Sequence, residues 1–297
     1  MINKTERFYL ILAAVLWCGL TALFTYGDLE FSMSLVHEEA GWAIWLERLG
    51  EFPGVLTAWL ASAILMARGI QAERRGGGQT WCLVLGLLAL LCFSLYIPNR
   101  YSYYFWDSRG IRFSEWLIVF TITAFVVWGI LRVMEEAEEE ECREAAKRAA
   151  FALLVFAVIM VAVHIMKGIW GRVRFRDMNG SYELYTPWFI IVRGSSGTSF
   201  PSGHTASAAM TALLIFVLPV SSRWTRNLLA LASVLYTLAV AYSRVIVGAH
   251  FFTDTLFALG ITYGGILAAS AIFRVYNKRK ALTDGKNRII IKKVYNK

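Results

Sequence analysis

Residues 149–166 read AAFALLVFAVIMVAVHIM, and Lys167 follows at once. A run this apolar is long enough to cross a bilayer as a helix, which keeps every backbone N–H and C=O satisfied within one segment. Similar runs occupy 8–26, 52–67, 80–98, 114–133, 202–220, 228–243 and 251–274, the second being the shortest. The 297 residues are 57% hydrophobic and 17% charged. At about 20 residues per span, the roughly 170 apolar residues suffice for about eight spans. This composition excludes a disordered chain, a disulfide scaffold and a nucleic-acid-binding domain. The expected fold is all-α, a polytopic transmembrane helical bundle of about eight spans.

The loop charges orient the bundle. With the N-terminus inside, the inner loops carry Lys4 and Arg7, then Arg68, Arg74 and Arg75, then residues 134–148, then Arg223 and Arg226. The tail adds Arg274, Lys278, Arg279, Lys280, Lys286, Arg288, Lys292, Lys293 and Lys297, a basic anchor for anionic lipid heads. Both termini are therefore expected in the cytoplasm of a cell-membrane protein, with residues 27–51, 99–113, 167–201 and 244–250 outside. MINKTER and the apolar run after it read as an uncleaved signal anchor. Residues 135–141, EEAEEEE, read as a solvated helix extension. Trp42, Trp45 and Phe52 among Glu38, Glu39, Glu47 and Glu51 read as an interfacial helix over 28–51. Cys18, Cys82, Cys92 and Cys142 have no evident partners, and neither a disulfide nor a metal cluster is expected.

Three outer stretches carry the chemistry. Lys167 to Arg176 reads KGIWGRVRFR, four cations on the side of the membrane where they are disfavoured. Pro201-Ser202-Gly203-His204 opens the sixth apolar run, where free first-turn N–H groups favour an anion. Ser243 to Asp254 reads SRVIVGAHFFTD. On a helix, His250 and Asp254 would share one face, and a carboxylate on one imidazole nitrogen frees the other to attack. Three cations (Lys167, Arg174, Arg244) suit a group with several negative oxygens, and phosphate fits better than carboxylate. The outer loops hold no tight cluster of metal ligands, which favours metal-free phosphoryl transfer without a cofactor. Arg172, Arg176 and Arg193 read either as head-group ligands or as lipid-facing rim charges. His164 reads as a buried polar contact between spans.

These stretches resemble the signature of the type 2 phosphatidic acid phosphatase (PAP2) superfamily of membrane lipid phosphatases: K-x6-R-P, P-S-G-H and S-R-x5-H-x3-D. They correspond to Lys167–Arg174, Pro201–His204 and Ser243–Asp254, with Phe175 in place of the usual proline. The departure bears on loop geometry and head-group fit. The resemblance covers about residues 149–274, read as a PAP2-like catalytic core. Residues 1–148 are then N-terminal transmembrane helices and loops, and 275–297 the basic cytoplasmic tail. The family core usually has six spans, so 80–98 and 114–133 read as an insertion. The resemblance implies that His250 forms a phosphohistidine, Asp254 orients it, and His204 acts as acid and then base. It further implies that Lys167, Arg174, Arg244 and the Ser202–Gly203 backbone hold phosphate, with Pro201 and Ser243 in support.

The expected activity is hydrolysis of a lipid phosphate or diphosphate, such as polyprenyl diphosphate, phosphatidylglycerophosphate, phosphatidate or lipid A, at the extracytoplasmic face. A lipid phosphotransferase with the same site, or a non-enzymatic lipid-phosphate binder or transporter, are the competing readings. A transporter has no use for a histidine–carboxylate pair beside a second histidine. The sequence leaves the oligomeric state open.

Overall fold

The computed structural model describes residues 4–106 and 113–295. Residues 107–112 of the outer loop expected over 99–113, and Lys297 of the basic tail, lie outside the described residues. The described chain is helical, with no strand. Ten α-helices follow in order: α1 Lys4–Leu35, α2 Gly41–Leu49, α3 Phe52–Arg74, α4 Thr80–Trp106, α5 Phe113–Glu136, α6 Glu139–Trp170, α7 Gly203–Ala209, α8 Leu214–Val217, α9 Arg223–Ile246 and α10 Phe252–Tyr295. Among the described residues, seven helical segments are long and apolar enough to cross a membrane. This is therefore a membrane-type helical protein.

The expected span 202–220 is the exception. It is α7, a 3-10 turn over Met210–Leu213, and α8. At 1.5 Å per residue this run covers about 22 Å, less than the roughly 30 Å of a hydrocarbon core. It is also the most enclosed element: Thr205, Ala206, Ser207, Ala208, Ala209 and Met210 are all buried. Its neighbours α3, α6, α9 and α10 surround it, so protein rather than lipid satisfies its surface.

Small residues let the helices approach. Along α3, Ala58, Ala61, Ala63 and Ala67 are buried. A Cβ at Gly69 would lie 2.3 Å from the Leu83 nitrogen, and one at Gly86 2.3 Å from the Met66 nitrogen. The α3–α4 backbones therefore meet directly, as small residues permit in membrane helices. The core continues through Leu65, Val155, Phe156 and Leu213.

The structure alters several local expectations. α1 runs on to Leu35 and carries Asp28 inward, where it is buried; the interfacial helix is only Gly41–Leu49, with Trp42 and Trp45 exposed. α4 continues through Pro98 to Trp106, although an internal proline forfeits one helical hydrogen bond. That extension is tied down by Arg100, whose Nε donates to Glu51 Oε1 at 2.6 Å. The run 135–141 is largely exposed, as expected, but it is not one continuous helix extension. The chain breaks between α5 and α6 there, and Glu139 takes both ends of the buried Arg68 guanidinium while Glu135 pairs with Arg74 at 3.1 Å. Gln71 locks the same corner, accepting from Arg68 Nη1 at 2.6 Å. The acidic run answers the basic end of α3.

Candidate active site

The site lies where the C-terminal ends of α6 and α9 meet the N-terminal ends of α7 and α10. Gly171 ends α6 in the left-handed region (φ 62°), and a Cβ there would be 2.3 Å from the Val192 carbonyl oxygen. Only glycine fits both demands. The chain then turns back, and the loop before α7 is laced onto it: Val192 N donates to Trp170 O and Ser199 N to Arg172 O, each at 2.9 Å. This brings Thr198 over the cationic stretch. Lys167 Nζ donates to Thr198 O at 2.6 Å, and Arg174 Nη2 to Thr198 Oγ1 at 3.1 Å.

Phe175 carries the turn where the signature that the motifs resemble has proline. It is buried against Tyr182 and Phe251, with ring centroids 5.2 and 6.1 Å away. The next residue, Arg176, donates its backbone N–H to Gly248 O at 2.9 Å. Aromatic packing and one backbone hydrogen bond thus hold the loop that a proline ring would otherwise stiffen.

α9 ends in a tight turn through Gly248 (φ 64°), in which the Arg244 carbonyl accepts from both Ala249 N and His250 N at 3.1 Å. His250 precedes α10, so the two residues do not share a helix face as the spacing suggests. Their pairing comes from a capping arrangement instead: Asp254, in the first turn of α10, accepts from the Phe251 N–H at 2.9 Å on Oδ2. The same oxygen accepts from Ser199 Oγ at 2.5 Å and lies 3.6 Å from His250 Nδ1. The other oxygen accepts from Arg172 Nη1 at 2.6 Å.

Arg172 is neither a head-group ligand nor a rim charge. It is fully buried, donates to Asp28 Oδ2 at 2.9 Å as well as to Asp254, and lies 4.1 Å from the Phe251 ring centroid. Two carboxylates against one guanidinium explain why a charge tolerates that depth. Arg176 donates to Glu47 Oε1 at 3.1 Å and faces the cavity, whereas Arg193 is exposed. His164 is exposed too, with Nδ1 2.7 Å from Met160 O on its own helix, so it bridges no spans. Ser202 caps α7, accepting from Thr205 N at 3.4 Å, and its own N–H goes to Asp254 O at 3.0 Å. That N–H is therefore not offered to an anion. Pro201 is buried beside it, and Ser243 bonds back to Val240 O at 2.7 Å rather than facing the cavity.

The cavity measures about 220 Å³ and is lined by Lys167, Arg174, Gly203, His204, Arg244 and His250, joined by Glu47, Arg100, Tyr103, Tyr104 and Arg176. Among the described residues, Arg174 Nε, Arg244 Nε and Nη1, and His250 Nδ1 are buried without a hydrogen-bond partner in the protein. Burial pushes the His250 imidazole from 6.5 down to about 3, and Lys167 and Arg244 reinforce this against the opposing pull of Asp254. His250 is thus neutral at physiological pH, the state a nucleophile needs.

Glu47, Glu51, Arg100, Tyr104, Ser199 and Asp28 were not legible as site residues. The one usable signal was that Asp28, Glu51 and Arg100 are ionisable groups at or beside apolar runs, which require partners.

Fold and cavity together define a class: a polytopic membrane protein with a small cationic cavity lined by two imidazoles. Residues 148–281 match the family model of the PAP2 superfamily, the same superfamily that the three motifs resemble. The superfamily's members are phosphatases of the membrane lipid phosphatase kind. No curated protein and no solved structure matched the chain.

Proposed function

We propose that this protein hydrolyses a lipid phosphate or diphosphate at the extracytoplasmic face of the cell membrane, through a phosphohistidine and without a metal. The observation that carries the reading is the set of unpartnered donors on Arg174 and Arg244, which face the same cavity as Lys167, His204 and His250. Buried guanidinium N–H groups without acceptors call for an anion with several oxygens.

With Nδ1 of His250 toward Asp254, Nε2 keeps its lone pair for phosphorus. The N–P bond forms as the bond to the lipid oxygen breaks, and that oxygen takes a proton from the His204 imidazolium. Water then adds to phosphorus, its proton passes to His204, and the N–P bond breaks to release phosphate. Lys167, Arg174 and Arg244 hold the equatorial oxygens through both steps; such charge stabilisation and in-line positioning carry most of phosphoryl transfer. The extracytoplasmic side is supported by the far ends of α3 and α9, which carry Arg74 and Arg75 and Arg223 and Arg226 respectively.

The test is phosphate release by the purified protein from a panel of lipid phosphates and diphosphates, with no acceptor present, in EDTA. Turnover that vanadate inhibits and His250→Ala abolishes is expected. Turnover retained by His250→Ala removes the nucleophile assignment, and loss in EDTA with recovery in magnesium removes the metal-free one.

A further inference from the structure

The imidazole of His204 has neighbours from outside residues 148–281, the stretch that matches the PAP2 family model. Tyr104, near the end of α4, has its hydroxyl 2.9 Å from His204 Nε2. Glu51, at the turn between α2 and α3, has Oε2 3.7 Å from the same nitrogen and a side chain only 6% exposed. Arg100 joins the two, donating from Nε to Glu51 Oε1 at 2.6 Å and lying 4.8 Å from the Tyr104 ring centroid.

This arrangement is held by the backbone. The Glu51 carbonyl accepts from Ser207 Oγ at 3.0 Å, one turn beyond His204 on α7. The Gly50 carbonyl accepts from Tyr236 of α9 at 3.1 Å. Gly54 lies so close to α7 that a Cβ would be 1.7 Å from the Ser207 carbonyl oxygen. The carboxylate of Glu51 is therefore fixed beside His204.

The charges around His204 otherwise oppose its protonation. Lys167 of α6, Arg174 and Arg176 of the following loop, Arg244 of α9 and Arg100 of α4 line the cavity with it, and His250 faces it. Of the two carboxylates present, Glu47 is shared by Arg244 at 3.0 Å and Arg176 at 3.1 Å. Glu51 gives one oxygen to Arg100, also takes the Tyr96 hydroxyl of α4, and has its other oxygen 3.7 Å from His204. An opposite charge within about 4–6 Å favours the charged form of its neighbour.

We infer that Glu51 and Tyr104 form a positioning pair for His204, holding its Nε2 edge and favouring the imidazolium, so that helices outside the PAP2-matching stretch complete the acid–base half of the site. This rests on the hydrolytic reading above. In the imidazolium, Nε2–H donates to the Tyr104 oxygen, and the proton on the second nitrogen goes to the leaving lipid oxygen. Tyr104 and Glu51 then do for His204 what Asp254 does for His250.

The experiment compares Glu51→Gln, Tyr104→Phe and Glu51→Asp with wild type and His204→Ala on two substrates, an alkyl phosphate and p-nitrophenyl phosphate. The aryl leaving group needs little protonation, so its turnover also reports a folded site. Glu51→Gln is expected to lose about tenfold more activity on the alkyl than on the aryl substrate. Its basic limb of kcat/KM should move about one unit toward lower pH, since the imidazolium is lost sooner. Tyr104→Phe should show the same bias, and Glu51→Asp should recover part of it. Equal losses on both substrates with an unmoved basic limb, while His204→Ala keeps the bias, would overturn the pairing alone. Absence of bias in His204→Ala, or of any wild-type turnover, would overturn the hydrolytic assignment and the pairing with it.

Discussion

Arg172 Nη1 lies 2.6 Å from Asp254 Oδ1, and neither side chain is exposed to solvent. The same guanidinium holds Asp28 of α1 at 2.9 Å, and Asp28 Oδ1 accepts from Thr253 N at 3.1 Å. One cation thus links the first helix to the carboxylate that faces His250. Arg172→Met would leave two carboxylates buried without their cation. Breaking a buried pair from one side costs about 3–5 kcal/mol. We predict a large drop in the melting temperature of the detergent-solubilised protein, with Arg172→Lys intermediate because it keeps the charge without the fork. An unchanged melting temperature in Arg172→Met would contradict this role.

Gly54 supplies a steric prediction. With its Cβ 1.7 Å from the Ser207 oxygen, an alanine cannot fit unless α3 and α7 separate. Overpacking of this kind costs about 1–3 kcal/mol. The separation would also move Glu51 away from His204, so phosphatase turnover should fall together with thermal stability. Gly264→Ala on exposed α10 is the control, since a Cβ there meets nothing within 4 Å and alanine favours the helix. Equal behaviour of the two variants would refute the close approach.

The titration of His250 follows from its burial. With its imidazole pushed down to about 3, it should show no titration near neutrality. Histidine-selective NMR is practicable because the chain has four histidines, and His250→Asn assigns the resonance. A midpoint near the ordinary value of about 6.5 would contradict the burial. The sign for stability is also set. A depressed imidazole favours folding fully above the unfolded value of about 6.5, and that contribution is lost as pH falls toward about 3.

Much of the site was readable from spacing because Lys167 with Arg174, and Arg244 with His250, are each placed by a single turn of chain. Pro201 to His204 was readable as a helix start, and Ser202 does cap α7. The backbone N–H of Ser202, expected to hold an anion, is instead taken by the Asp254 carbonyl, 52 positions along the chain and brought near only by packing. The same limit hid Arg172: within its own stretch it is one arginine among three, and what separates it is its contact with Asp28 and Asp254. The apolar run over 80–98 stops short of Trp106, where α4 ends, because the last turns of α4 are polar and are tied down by Arg100 and Tyr104.

The helices and the three local motifs follow from the amino-acid order alone, because a lipid-buried backbone must satisfy its hydrogen bonds within each segment and because turns and caps act over a few residues. Which charges pair and which remain open is decided by distances between helices. Glu47, Asp28 and Thr198 occupy some donors of the arginines and of Lys167, while Arg174 Nε and Arg244 Nε and Nη1 are left toward the cavity. That selection depends on the angstrom-scale approach of side chains far apart in sequence, and only the folded bundle makes it.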